Sequence, residues 1–145
     1  MFKKILVPTD GTPLSEKIIA GAIQFARINP GSQIFGLSVI VPISHSPFHG
    51  FSANYLHEHE QHIDDHAHRH VGLLKAAIAA AGVPCEVLVT KAQSPADEIV
   101  RVARIYDCDC IFMASHGRKG LNKLFLGSET QKVLAQAEVP VMVYR

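Results

Sequence analysis

The sequence lacks the long apolar runs of a membrane protein. None of its runs approaches the roughly 20 residues that a membrane-spanning helix needs. The first run, Ile5–Val7, ends at Pro8 and is also shorter than the roughly 7 to 15 apolar residues of a secretory signal, so we interpret it as a strand. We therefore expect a cytoplasmic protein without a membrane partner.

Cysteine and net charge are also scarce. The three cysteines, Cys85, Cys108 and Cys110, are odd in number and include no Cys-x-x-Cys pair, which argues against a disulfide framework and fits a reducing compartment. Cys108 and Cys110 flank Asp109 at the start of a predicted strand, so we favour a structural role over a redox or metal-binding one. The net charge of +1 implies no broad basic surface, and we expect no nucleic-acid partner.

The motifs of common catalytic and phosphate-binding sites are missing too. The sequence has no Gly-x-Ser-x-Gly elbow, no His-Glu-x-x-His pair and no Gly-x4-Gly-Lys-Ser/Thr loop. It also contains no pair of carboxylates that can be placed for acid–base catalysis. These absences favour a binding protein over an enzyme.

What is present is a regular alternation of strand and helix patterns over 145 residues. This length suits one domain with a sizeable core, which we assign to residues 1–145. Because helices separate the strands, we predict a doubly wound α/β fold, an open parallel sheet with helices on both faces. The five predicted strands are Lys3–Pro8, Gln33–Val41, Cys85–Thr90, Asp109–Ala114 and Val139–Tyr144.

The helices are predicted from their caps and their apolar spacing. Thr12 and Ser94 each precede a proline, which suits the first helical position. Ser128 has capping-box spacing to Gln131. The longest helix is predicted over Asn54–Ala81. In such a fold, ligands bind beyond the carboxyl ends of the strands, where the strand order reverses.

The loop before the last helix has the composition of a phosphate site. Glycines permit close backbone approach, and the N-terminus of the following helix offers N–H donors and the positive end of its dipole. A plain turn-forming role for the glycines is the alternative. The glycines of this loop are Gly117, Gly120 and Gly127, and its cations are Arg118, Lys119 and Lys123.

Four segments follow one another along the chain: Lys3–Asp10, Ser115–Arg118, Leu126–Ser128 and Val139–Val143. In this order the chain resembles the universal stress protein family over essentially its full length. The resemblance implies a Rossmann-like sheet of the adenine nucleotide α-hydrolase type with strand order 3-2-1-4-5. It also implies a stress-response or signalling module that binds ATP with Mg²⁺, and no haem, flavin or iron–sulfur cofactor.

The ATP-binding members of that family carry a Gly-x2-Gly-x9-Gly-Ser/Thr loop. Gly117, Gly127 and Ser128 match its second glycine, its third glycine and its hydroxyl residue. Ala114 stands at the first glycine position and is a departure. Its methyl group would lie where the backbone should approach the ribose or phosphate, so it would weaken binding or reshape the site.

The resemblance also implies individual contacts with the nucleotide. Pro8, Thr9 and Asp10 are placed at the adenine and ribose side, Val39 packs near adenine, and Met113 closes the pocket. The residues Ala114, Ser115, His116, Gly117, Arg118, Gly127, Ser128, Glu129 and Thr130 complete the set around the phosphates. A plain Asx turn that caps the next helix is the alternative role for Asp10.

Two of these residues raise separate questions. A carboxylate at Glu129 favours the dipole of its helix but would repel phosphate if it pointed inward. His116 resembles a general base, yet it matches a family position explained by loop structure and backbone contact. We expect no catalytic residue and at most slow ATP hydrolysis.

Eight of the nine histidines lie between His45 and His70. His59, His62, His66 and His70 are spaced by three, four and four residues and form one ridge on a helix, which we call the histidine ridge. We favour a solvated helix face that covers the pocket mouth. The alternatives are a zinc or nickel site, completed by Glu58 or Asp65, and a pH-sensitive lid.

Three functions remain open from the sequence. The favoured one is an ATP-binding stress or signalling module, and the alternatives are a nucleotide-free dimeric interaction protein of the same fold and a metal-binding stress protein that uses the histidine ridge. The segment Val139–Tyr144 should form an apolar edge strand, which invites pairing. Because the family commonly dimerises through this strand, we predict a twofold homodimer.

Overall fold

The computed structural model of the chain describes residues 1–43, 52–116 and 126–145. Strands and helices alternate through these residues, as the sequence predicts. The elements are β1 Lys4–Pro8, α1 Pro13–Arg27, β2 Gln33–Ile40, α2 Ala53–Ala80, β3 Cys85–Lys91, α3 Pro95–Ile105, β4 Cys110–Ala114, α4 Ser128–Gln136 and β5 Val141–Tyr144.

The strands form one parallel sheet with the order β3-β2-β1-β4-β5. This order confirms the predicted fold class and strand order. Ile5 of β1 pairs with Ile34 on one side and with Cys110 on the other. The chain therefore leaves β1 in one direction and returns on its other side, so the topological switch point lies between β1 and β4.

The sheet is covered on both faces, and β1 shows why. Ile5 and Val7 belong to a buried cluster with residues of α1 and α2, whereas Leu6 belongs to a second cluster with residues of α3 and α4. Successive side chains of a strand point to opposite faces, so a strand buried on both must be continuously apolar. In the described part of the chain, no helix combines the length and apolar character needed to cross a membrane.

Helix α2 is longer than the strands it covers. Its 28 residues span about 42 Å, whereas the eight residues of β2 span about 26 Å. The buried residues of α2, Ala67, Val71, Leu74 and Ile78, all lie in its second half. The first half therefore extends beyond the sheet, on the side of the carboxyl ends of the strands.

A glycine in β2 lets α2 pack closely against the sheet. A Cβ atom at Gly36 would lie 2.8 Å from Leu74 Cδ2 and 3.3 Å from Val87 Cγ1. Leu74 is 2% exposed, so the space next to Gly36 is already filled. Because Gly36 has no side chain, α2 can approach β2 this closely.

Three predicted strand starts differ from the structure, and the bonds of Asp109 account for two of them. The first strand begins at Lys4 because Asp109 Oδ2 accepts from Lys3 N at 2.7 Å and Asp109 Oδ1 from Lys4 N at 3.1 Å. These bonds also place Asp109 before β4, which begins at Cys110. The last strand begins at Val141 rather than Val139. The other strand ends and both ends of α2 agree with prediction within one residue.

The predicted cap of the last helix is also wrong. The N-cap of α4 is Gly127, and Ser128 is the first helical residue. The reason is a tertiary bond, since Gly127 N donates to Ser115 O at 2.8 Å and holds the chain extended there. The side chain of Gln131 donates to Leu126 O at 2.8 Å instead of closing a capping box on Ser128.

Candidate functional site

An open cleft of about 750 Å³ lies beyond the carboxyl ends of β1 and β4, at the switch point of the sheet. Three parts of the chain form its walls: the turn after β1, the segment after β4 with the start of α4, and the projecting half of α2. The last residues of β2, Val39 and Ile40, lie at its base.

The turn after β1 is held by its own side chains. Asp10 Oδ1 accepts from Thr12 N at 3.0 Å and from Thr12 Oγ1 at 2.7 Å, which is an Asx turn at the start of α1. Gly11 follows with a φ of 76°, a conformation that favours glycine. The Asx-turn interpretation of Asp10 is therefore observed, and Asp10 also lines the cleft.

Thr9 connects this turn to two other elements. Its backbone N–H donates to Leu37 O of β2 at 2.8 Å. Its hydroxyl Oγ1 lies 2.8 Å from Nε2 of His70 on α2. The turn is thus fixed both to the sheet and to the helix that overhangs the cleft.

The segment after β4 is tied to α4 through the buried hydroxyl group of Thr130. Thr130 is 2% exposed, and its Oγ1 donates to Ala114 O at 2.9 Å. Ser115 is 1% exposed, and its Oγ is hydrogen bonded to Nδ1 of His116 at 2.7 Å. Both hydroxyl groups thus make internal bonds that shape the wall of the cleft.

The N-terminus of α4 opens towards the cleft. Gly127 contributes no capping side chain, and the first N–H groups of a helix have no acceptor within the helix. Glu129 and Thr130, in the first turn, line the cleft. These amides, with the positive end of the helix dipole, can bind an anion.

The sequence analysis asked whether the Glu129 carboxylate would point at the phosphates. In the structure it binds a backbone N–H group of α3. Its Oε2 accepts from Ala96 N, in the first turn of α3, at 2.8 Å, and its Oε1 lies 3.0 Å from Lys132 Nζ. The carboxylate therefore satisfies the N-terminus of α3. It still lines the cleft, so its negative charge contributes to the field there.

The structure brings most of the described residues of the predicted set together around one cleft. Those that line it are Pro8, Thr9, Asp10, Val39, Met113, Ala114, His116, Glu129 and Thr130. Ser115, Gly127 and Ser128 lie next to this wall without lining it. Gly117 and Arg118, with Gly120, Lys119 and Lys123, fall outside the described residues.

Residues that the predicted set omitted complete the cleft. They are Gly11, Thr12, Ile18, Leu37, Ser38, Ile40, Val41, His62, Ile63, His66, Ala67, His70, Gln93 and Pro95. Three members of the histidine ridge are among them, and His59 is not. The sequence analysis placed this ridge over the pocket mouth but did not include its members in the nucleotide-binding set.

The metal-binding alternative finds no ligand set in the described residues. No three His, Cys, Asp or Glu side chains come together there in a way that could hold a metal ion. The cysteines do not suggest reactivity either, because burial raises the pKa of Cys108 and of Cys110 to about 11. A buried thiol with a raised pKa is a poor nucleophile and metal ligand, which supports their structural role.

A doubly wound sheet with an open cleft at its switch point defines a broad class of ligand-binding α/β proteins. Within that class, the profile of the universal stress protein family matches residues 1–145. A universal stress protein of Thermus aquaticus, named for its position 3′ of the QAH/OAS sulfhydrylase, is 31% identical over 147 residues and covers 100% of both chains. The chain belongs to the universal stress protein family.

Solved structures agree with this assignment. MJ0577 of Methanocaldococcus jannaschii has a TM-score of 0.84 and 26% identity, with 99% of this chain and 95% of that chain covered. A universal stress protein of Archaeoglobus fulgidus, solved in complex with dAMP, has a TM-score of 0.68 and 16% identity, with 100% and 98% covered. At that identity the second likeness shows the fold alone.

Proposed function

We propose that the chain binds an adenine nucleotide, foremost ATP with Mg²⁺, in the cleft between β1 and β4, and acts as a stress-response or signalling module. The observation that carries the proposal is the open cleft at the switch point with the start of α4 beside it. A helix N-terminus at such a position suits the phosphates of a nucleotide.

The two ends of the cleft differ in a way that suits the two ends of a nucleotide. Val39 and Met113 offer apolar surface for a base, and Asp10 beside them offers an acceptor for ribose hydroxyls. The phosphates would lie at the start of α4, where the motif positions Gly127 and Ser128 stand, and Gly117 and Arg118 precede it in the sequence. The dAMP complex of the Archaeoglobus fulgidus protein supports an adenine nucleotide as the ligand class.

The contacts of His116 support binding rather than turnover. Its Nδ1 is engaged with Ser115 Oγ at 2.7 Å, a bond that shapes the segment after β4. We therefore propose a structural role for His116 and at most slow hydrolysis of ATP. The three cysteines are free thiols, which is compatible with the cytoplasm as the proposed compartment.

We also propose a homodimer through the segment Val139–Tyr144. β5 is at one edge of the sheet, and its Met142 and Tyr144 are 38% and 37% exposed. An apolar strand at an edge readily pairs with another strand. Light scattering at tens of micromolar should give the mass of two chains, and the mass of one chain would rule the dimer out.

Calorimetric titration of ATP–Mg²⁺ tests the nucleotide proposal. The wild type should release heat, and Gly117→Val should abolish it, because the larger side chain obstructs the motif loop. Gly72→Val is the matched control, since Gly72 lies in α2 with open space around it. Ala114→Gly, which restores the first motif glycine, should tighten binding.

A second readout covers nucleotide that co-purifies with the protein. Mass spectrometry of the purified, denatured protein should detect ATP, AMP or another adenine nucleotide. If wild type neither carries a nucleotide nor gives heat with ATP–Mg²⁺, the nucleotide-free interaction protein becomes the better description.

A further inference from the structure

The projecting half of α2 presents imidazole rings to the cleft. His62, His66 and His70 line it, and Ile63 and Ala67 line it between them. Residues four apart lie on one face of a helix, so the three rings form a continuous wall above the turn after β1. His62 and His66 are exposed where they border the cleft.

This wall is anchored at its lower end. His70 Nε2 lies 2.8 Å from Thr9 Oγ1. A Cβ atom at Gly11 would lie 3.3 Å from His66 Cε1, so the ring of His66 packs directly on the Asx turn. On the outer side, Asp64 pairs with Lys91 at the end of β3 at 2.9 Å. These contacts give the rings a defined position.

The cleft also has an apolar part of its lining near the ends of the central strands. Val39, Ile40 and Met113 contribute side chains at the ends of the central strands. A lining that offers both an aliphatic surface and planar imidazole rings suits a flat heteroaromatic ring, because the faces of such a ring pack against non-polar or π surfaces.

We infer that His62 and His66 pack against the base of the bound nucleotide and help to select it. This inference rests on the proposed function. The wall belongs to the base end of the cleft because His70 contacts Thr9 and His66 packs beside Gly11 in the turn after β1, whereas the N-terminus of α4, at the phosphate end, follows β4. The contact is therefore independent of the number of phosphates.

Calorimetric titrations with adenosine, AMP and ATP–Mg²⁺ test this contact at one pH. His66→Ala should weaken the binding of all three ligands by the same factor, about fivefold, the lower end of what one base-stacking side chain contributes. His62→Ala should also weaken all three equally. His57→Ala is the matched control, since His57 is exposed on the same helix and does not line the cleft.

A conservative variant separates ring packing from a general effect on α2. His66→Phe keeps a planar ring and should bind each ligand within about twofold of wild type. Circular dichroism and thermal melting should match wild type for every variant, because the replaced side chains are exposed.

Several results would overturn the inference while leaving the proposed function intact. One is wild-type affinity in both His62→Ala and His66→Ala. Another is a loss that grows from adenosine to ATP, which would put the histidines on the phosphates. A third is His66→Phe as weak as His66→Ala. Absence of binding by wild type itself would instead overturn the proposed function.

Discussion

Helices α3 and α4 begin beside the same cleft, and the N–H groups of their first turns differ in how they are satisfied. Pro95 opens α3, and Glu129 lies in the first turn of α4; both residues line the cleft. Every helix has N–H groups in its first turn that find no acceptor within the helix. In α3 these groups are all satisfied, whereas α4 has no capping side chain among the described residues.

The bonds at the start of α3 account for each group in turn. Pro95 has no N–H, and Ala96 N donates to Glu129 Oε2. Asp97 N donates to Ser94 Oγ at 3.4 Å, and Glu98 N to Ser94 O at 3.1 Å. The protein thus uses its own carboxylate and hydroxyl at α3. Of these two helices, α4 is the one without a side-chain cap among the described residues, so in the proposed binding mode the phosphates meet the start of α4 rather than that of α3.

The largest expected effect comes from the tie that positions α4. Thr130→Val removes a buried hydroxyl that donates to Ala114 O and Ser115 O at 2.9 and 3.4 Å. We expect a loss of about 1.5 kcal/mol in the free energy of unfolding, together with weaker ATP binding. Urea denaturation measures the first, with Thr130→Ser as the control that keeps the hydroxyl. Equal stability of the valine variant would contradict this role.

A smaller effect is expected from the charge between the two helices. Glu129→Gln keeps an oxygen that can accept from Ala96 N and removes a negative charge that lines the cleft. ATP binding should tighten about threefold, as expected for one partly exposed charge, and adenosine binding should not change. Calorimetry at low and high salt tests it, since salt should reduce the gain. Unchanged ATP affinity would mean that the charge does not reach the ligand.

The corresponding change at α3 should affect stability alone. Ser94→Ala removes the cap on Asp97 N, a bond of 3.4 Å, and should cost about 0.5 kcal/mol, the lower end for an N-cap. ATP affinity should stay at the wild-type value because, in the proposed binding mode, α3 does not receive the phosphates. A parallel loss of ATP binding would erase the distinction between the two helix ends.

The smallest effect concerns the first turn of α3 and depends on pH. Hydrogen bonds from Arg101 to Glu98, at 2.7 and 2.6 Å, hold the pKa of that carboxyl below its usual value of 4.5. A depressed pKa in the folded state stabilises the protein above the unfolded value, and that stabilisation is lost as the pH falls.

Arg101→Met should therefore lower the urea midpoint slightly at pH 7, and the difference from wild type should shrink below about pH 4.5. ATP binding should not change, since neither Glu98 nor Arg101 lines the cleft. A difference that stays constant from pH 7 to pH 3.5 would assign the effect to packing of the arginine stem instead.

The sequence predicted the fold well because local signals agree with one another. Continuous apolar runs marked strands buried on both faces, and Ser94 and Thr12 marked two helix starts that the structure confirms as N-caps. The start of β1 and the cap of α4 could not be predicted from local patterns. They depend on Asp109 and Ser115, residues remote in sequence from the groups they bind.

The site was predicted less completely, for the same physical reason. Position in the family pattern placed Asp10, Val39 and Met113, which do meet at one cleft. The direction of the Glu129 carboxylate depends on Ala96, 33 residues away in the chain. The sequence placed the histidine ridge over the pocket mouth, but which of its members line the cleft depends on how far α2 extends past the sheet.

The position of the wall formed by His62 and His66 depends on Gly36. Leu74 fills the space beside this glycine, and His62 lies twelve residues earlier on the same helix, a lever of about 18 Å. A methyl group at position 36 would clash with Leu74. Any tilt of α2 that relieved this clash would displace His62 further than Leu74. The opening of the cleft thus depends on a buried position that lies outside its lining.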